Sequence, residues 1–138
     1  MNTKGFDAVF NRLCSYIEEN SIFNDTDIST TKEGNFYPKI VVSDIQNSVT
    51  SKTTGGIETH SLIGIELNIY AKAKQVDNKM YSGRSITRSL AETCDKVLGD
   101  LCGMTRVTAR GMDNADPTID RYIMRYNATQ NDQRNFFY

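Results

Sequence analysis

From Ile63 to Tyr70 apolar and polar residues alternate without a break. Ile63, Ile65, Leu67 and Ile69 fall on one side, and Gly64, Glu66, Asn68 and Tyr70 lie between them. A period of two marks a strand with one buried face, and a helix does not produce it. The stretch from Glu58 to Lys74 therefore predicts the central strand of an antiparallel sheet, with the rest of the chain arranged to cover its apolar side.

Ahead of it, Phe6, Val9, Phe10, Leu13, Cys14 and Ile17 recur at helical spacing and predict an amphipathic helix over residues 5–20. Asp7 sits in its first turn, where a negative charge suits the helix dipole. A polar loop follows to Gly34, anchored by Ile22, Phe23 and Ile28. Residues 36–45 predict a strand, because Ile40, Val41 and Val42 are β-branched and Pro38 fits a strand's first residues or an edge. Residues 46–58 are polar and contain Gly55-Gly56, so they predict a hairpin loop extending well beyond a tight turn.

After the central strand, residues 75–79 read as a short polar connection. Ile86, Leu90, Cys94, Val97, Leu98 and Leu101 predict a second helix within residues 80–101, with Gly99 and Gly103 near its end. Residues 105–110 predict a short strand with Val107 and Ala109 on one side. A turn over 111–117 leads to a last strand over 118–129, where Tyr122, Met124, Tyr126 and Ala128 alternate with Arg121, Ile123, Arg125 and Asn127.

The order is α-β-β-α-β-β. It predicts one α+β domain over residues 1–138, mainly an antiparallel four-stranded sheet with two helices packed on one face. It carries a long β-hairpin loop (46–58) and an extended C-terminal tail (130–138). The length of 138 residues suits one domain with a real core and is short for two.

The formal net charge of −1 gives no global electrostatic reason to bind nucleic acid or an anionic membrane. No apolar run approaches the roughly 18 residues of a membrane helix. The polar start, followed by Glu18 and Glu19 in the first helical segment, does not resemble a signal peptide, so synthesis and assembly in a cytoplasm are expected. Cys14, Cys94 and Cys102 are an odd, widely spaced set. On one helix Cys94 and Cys102 would stand roughly 12 Å apart, too far for a disulfide, so reduced thiols are expected.

Candidate chemistry is sparse. His60, the one histidine, could pair with a cysteine as a nucleophile couple, but no cysteine lies in a glycine-rich elbow, and the structural reading is preferred. Asp113, Asp116 and Asp120 crowd before the last strand without the alternating ligands, central glycine and bidentate glutamate of a calcium loop. A turn explains them better. Gly55-Gly56 lacks the lysine and helix of a phosphate loop. No metal site, cofactor site or catalytic set is predicted.

The arginines say more. Arg106 and Arg110 are four apart on one predicted strand, and Arg121 and Arg125 repeat the spacing on the next, so four cations are expected on one sheet face. Lys72, Lys74, Lys79, Arg84 and Arg88 make a looser basic patch. Phe136, Phe137 and Tyr138 form an aromatic cluster that should bury against its own domain or another subunit.

The leading helix, the strand Tyr37-Pro-Lys-Ile-Val-Val42, the long polar loop, the strand Ile65-Glu-Leu-Asn-Ile-Tyr-Ala-Lys72, the second helix and the closing Asp120-Arg-Tyr-Ile-Met-Arg-Tyr126 together resemble one family. It is the tail terminator, or tail completion, proteins of long-tailed bacteriophages and related contractile particles. The resemblance spans nearly the whole chain and rests on patterns, with no catalytic signature. It implies a homo-hexameric ring at the head-proximal end of the tail, at the tail–neck junction of the virion. Such a ring ends tail-tube polymerisation and offers a head-joining surface through which DNA passes without sequence-specific binding.

The implied partners are further copies of the chain, the tail tube protein, a head–tail connector or head-completion protein, and a sheath protein. The residues expected at these interfaces are Lys52, Thr54, Gly55 and Gly56 of the hairpin, the arginines Arg106, Arg110, Arg121 and Arg125, and Phe136, Phe137 and Tyr138. A head–tail connector or neck protein is the alternative of the same kind. A nucleic-acid-binding module using the arginine face and a Cys–His hydrolase are alternatives of other kinds.

Overall fold

The computed structural model describes residues 4–30, 36–52, 59–114 and 116–131; for residues 4–6, 46–52, 59–63 and 128–131 only the backbone is considered. Helix α1 runs over Lys4–Asn20. Its stripe of Val9, Leu13 and Ile17 is fully buried, as the helical spacing requires. The Asn20 side chain donates to the Tyr16 carbonyl at 3.1 Å. Ser21 then turns the chain by accepting from the Phe23 amide at 3.0 Å. Phe23 drops into the core edge-on to Tyr81, with ring centroids 5.3 Å apart.

Five strands form the main sheet in the spatial order β1-β2-β3-β7-β6. These are β1 (Asp27–Ser29), β2 (Lys39–Lys52), β3 (Thr59–Ala71), β6 (Thr105–Met112) and β7 (Asp120–Asn131). The expected central strand is central, with β3 between β2 and β7 from His60 to Tyr70. The sheet is mixed, because the three-residue β1 pairs parallel with the start of β2. The expectation of four antiparallel strands missed β1, since three residues show no periodicity.

A second difference concerns the loop expected over 46–58. The β2–β3 ladder continues through Asn47↔Ile63 and Ser51↔His60 to Lys52↔Thr59. Polar Ser, Thr and Asn residues suggested a loop there, but a ladder needs only backbone partners. Strand β7 follows the ribbon as far as His60↔Asn131. Three strands thus run about five residues past Gly64, roughly 17 Å. Among residues whose side chains are described, the core ends at Val42, Ile65 and Tyr126, and β6 ends its pairing at Asn127.

The polar connection is itself a hairpin. Strands β4 (Lys74–Val76) and β5 (Lys79–Tyr81) pair around Asp77-Asn78, whose φ angles of 51° and 66° are those of a type I′ turn. Val76 and Tyr81 pack against the core from it.

Helix α2 (Gly83–Asp95) begins later than expected. Ser82 is its N-cap, accepting from the Ser85 amide at 3.1 Å. It widens into a π turn over Lys96–Leu101. Val97 and Leu98 both face inward there, and Leu101, expected in the stripe, is left 42% exposed. Gly103, at φ 71°, ends the element. The Gly103 amide donates to Gly99 at 3.2 Å and the Met104 amide to Leu98 at 2.8 Å. Arg12 of α1 donates to the Leu101 carbonyl at 2.9 Å and ties the two helices together.

One core joins both helices to one sheet face. Ile65, Leu67 and Ile69 lie opposite Val42, Ile40, Tyr126, Met124 and Tyr122, beneath Leu13, Ile86, Leu90 and Leu98. Cys14, Cys94 and Cys102 are free thiols, as expected. Among the described residues no helix is long and apolar enough to cross a membrane.

Two glycines test this packing. A Cβ on Gly83 would stand 2.7 Å from the Ala71 carbonyl oxygen, whereas one on Gly99 meets nothing within 4 Å. Gly83→Ala should cost about 1–3 kcal/mol through overpacking against backbone. Gly99→Ala should be neutral or stabilise by up to about 1 kcal/mol. Urea unfolding of both variants checks the contrast.

Candidate interaction surface

The strand parity that sends Ile65, Leu67 and Ile69 to the helices sends Glu66, Asn68 and Tyr70 to the second sheet face. Register brings Lys39 opposite Tyr70 and Arg121 beyond it, Ile123 opposite Asn68, and Arg125 opposite Glu66. This face is not bare: Lys39 and Tyr70 are each 3% exposed and Asn68 is 8% exposed. A lysine that buried needs electrostatic company. Its ammonium lies 5.2 Å from the Tyr37 ring centroid and 5.5 Å from that of Tyr70. Lys72 stands 5.0 Å from Tyr37, and the Arg121 guanidinium 5.5 Å from Tyr70.

The result is a ladder of alternating cations and rings, Lys72–Tyr37–Lys39–Tyr70–Arg121. It was present in the sequence as two copies of Tyr-x-Lys, at 37–39 and 70–72. In this antiparallel register Lys39 falls across from Tyr70, and just beyond the paired residues Lys72 reaches the ring of Tyr37.

Three of the four expected arginines share this face, and one does not. Arg121 donates through Nε and Nη2 to Asn68 Oδ1 at 3.0 and 2.7 Å. Arg125 pairs with Glu66 at 3.1 Å. Arg110 lies opposite Ile123. Arg106 is on the helix side, 3.5 Å from Asp95 of α2. The physical reason is a bulge: Val107 is an extra residue between Arg106 and Thr108. Four residues along a bulged strand reverse the face instead of keeping it. Val107, expected beside Ala109 on one side, is 59% exposed while Ala109 packs on the core.

On the helix side a second charged cluster lines a cavity of about 200 Å³ between α2 and the strands. Tyr126 donates to Asp95 at 2.6 Å, and Thr87 donates to Asp120 at 2.5 Å. Arg88 stacks on Tyr122 at 4.2 Å and approaches Asp120 at 3.8 Å. Burial and the Asp95 carboxylate together push the Tyr126 hydroxyl well above its ordinary value. These contacts neutralise most of the groove's charge internally.

The looser basic patch is dispersed. Lys74 pairs with Asp25, Lys79 sits over Tyr81, and Lys72 belongs to the ladder. The acidic stretch is a turn: Asp116 accepts from the Thr118 amide at 2.9 Å and hydroxyl at 2.6 Å, and these bonds lower its pKa. Among the described residues no group of three or more potential ligands could hold a metal ion.

His60 pairs through its backbone with Ser51 and Asn131, and its side chain lies outside the described residues. Of the expected interface residues, Lys52 closes the ribbon ladder opposite Thr59. Thr54, Gly55, Gly56, Phe136, Phe137 and Tyr138 lie outside the described residues. In comparison with known proteins, the chain matches no family model, and no curated protein is significantly similar to it.

Two outcomes follow from this geometry. Arg121→Ala strips the nearly buried Asn68 carbonyl of both its guanidinium donors and should cost about 1–3 kcal/mol. Arg110→Ala removes a charge with no partner among the described residues and should cost under about 0.5 kcal/mol. Urea unfolding separates the two. Burial also pushes the Cys94 thiol up to about 12 and raises Cys14 and Cys102, the reverse of what a nucleophilic thiolate requires. At pH 8, iodoacetamide should label Cys94 only as fast as the protein unfolds, as peptide mass mapping would show. Rapid labelling of Cys94 in the native protein would revive a thiolate mechanism.

Proposed function

We propose that the protein is a structural virion protein of the tail terminator kind, forming a ring at the head-proximal end of a phage tail. In this role it ends tube polymerisation and presents the surface to which the head joins. The reading rests on the order of elements and the strand motifs named above.

The structural observation that speaks for it is the three-stranded extension of β2, β3 and β7. The backbone ladder of this arm runs about five residues past Gly64, roughly 17 Å, and strand pairing alone gains little. We read the arm as the segment that packs against a neighbouring subunit or the tube. The second sheet face fits the same role. Its tyrosine ladder and the Arg121–Asn68 and Arg125–Glu66 pairs hold the sheet stiff, and leave Arg110 as a cation without a partner among the described residues.

The nucleic-acid-binding alternative loses ground on the same residues. Arg125 is neutralised by Glu66 and Arg106 by Asp95, and phosphate binding draws on unpaired cations.

Negative-stain images and native mass measurement of the purified protein, alone and with tail tubes, test the proposal. A closed ring, six-membered by the resemblance, is expected in at least one condition. Truncation after Asn135 should leave a folded domain, by its circular dichroism, that assembles poorly. A monomer both free and on tubes would end the reading.

A further inference from the structure

The two edges of the main sheet differ in length, direction and charge. On one side β6 has no further strand beside it among the described residues, and its Thr105–Met112 sequence carries two arginines and no acid. Arg110 is exposed, and it belongs to the regular five residues after the Val107 bulge. Asp113 follows just past the strand's end. On the other side β1 is the outermost strand, entered through Asp25 and carrying Asp27. Asp25 is held by Lys74, whereas Asp27 makes no ion pair with any described residue.

Face and direction agree as well. Asp27 lies opposite Lys39, hence on the second sheet face, and Arg110 lies opposite Ile123, on that same face. Following the pairings from β1, the strands run up (β1), up (β2), down (β3), up (β7) and down (β6). A copy placed beside the first by rotation about an axis roughly along the strands would bring its upward β1 against the downward β6. That pairing is antiparallel, continues the sheet without flipping its faces, and sets Asp27 of one copy on the same face as Arg110 of the other.

We propose that the β6 edge of one subunit pairs with the β1 edge of the next, with Arg110 and Asp27 as the charge pair across the joint. The partner is a second copy of this chain, and the contact is heterologous: each subunit gives one edge and receives the other. Such a joint uses the unpaired backbone groups that make edge strands prone to association. The inference rests on the ring reading and names the surfaces that would build the ring.

Two complementary variants test it. Arg110→Glu should face Asp27 with a like charge, and Asp27→Lys should face Arg110 with one. Each variant alone should lose self-association by at least roughly ten-fold in sedimentation equilibrium, with unchanged circular dichroism and thermal unfolding. Mixed in equal amounts they should reassemble, because every joint then has either the native or the exchanged pair. A contact between two β6 edges would instead leave Asp27→Lys unaffected.

A chain carrying both Asp27→Cys and Arg110→Cys gives an independent readout. The two sites lie four strand spacings apart, roughly 19 Å, too far for a bond within one chain. Oxidation should therefore yield a ladder of covalent oligomers on non-reducing gels. If the wild type assembles while neither charge variant weakens it and no covalent ladder forms, the edge pairing is wrong and the ring reading stands. If the wild type never assembles, free or on tubes, both are overturned.

Discussion

The fold depends on one apolar row. Ile65, Leu67 and Ile69 are wholly buried in the middle strand, and each contributes about 1.5–3 kcal/mol by leaving water. Both helices, two flanking strands and the small β4–β5 hairpin bury their own apolar residues against this row. A shift of one residue in β3 would carry it to the wrong face and put Glu66 and Asn68 beneath the helices. That penalty fixes the strand parity, and through it the composition of the second face. The cations and tyrosines stand where they do because the aliphatic residues claimed the other side.

Periodicity in the sequence was readable where burial is one-sided and regular. Helix α1, strand β3 and strand β7 all show clear patterns; the bounds of α1 and β7 fall within two residues of those expected, and β3 stops three residues short of Lys74, which opens the next strand. The alternation of Tyr122, Met124 and Tyr126 with Arg121, Ile123 and Arg125 placed two arginines correctly on β7, and Arg110 of β6 shares their face. Four-residue spacing carried the same expectation to β6. It failed at Arg106, because a bulge is an insertion in pairing and leaves no mark in composition. Val107 is as β-branched as any ladder residue.

The ribbon was lost for a related reason. Its Asn, Ser and Thr residues have the chemistry of a loop, and a backbone ladder makes no demand on hydrophobicity. Strand β1 was too short to show any period. The widened turn after Asp95 escaped because a helical wheel assumes 3.6 residues per turn. One additional residue rotated Leu101 out of the stripe and kept Val97 and Leu98 in it. At the candidate surface, residue types were visible and partnerships were not: Arg121 serves a nearly buried amide, and Arg125 serves a glutamate.

The doubled Tyr-x-Lys has a consequence for how the long ribbon finds its alignment. Beyond Gly64 the paired strands offer few apolar residues to tell one pairing offset from another, and such strands slip easily. At the base of the hairpin the alternatives are unequal. Sliding by two residues one way sets Lys39 against Lys72, two ammonium groups with no ring between them. Sliding the other way stacks Tyr37 on Tyr70 and leaves both lysines without their rings. Only the native offset satisfies both cations at once. The base of the hairpin therefore works as a key for its tip, and an uninformative stretch inherits its alignment from a pair of matched dipeptide steps at its root.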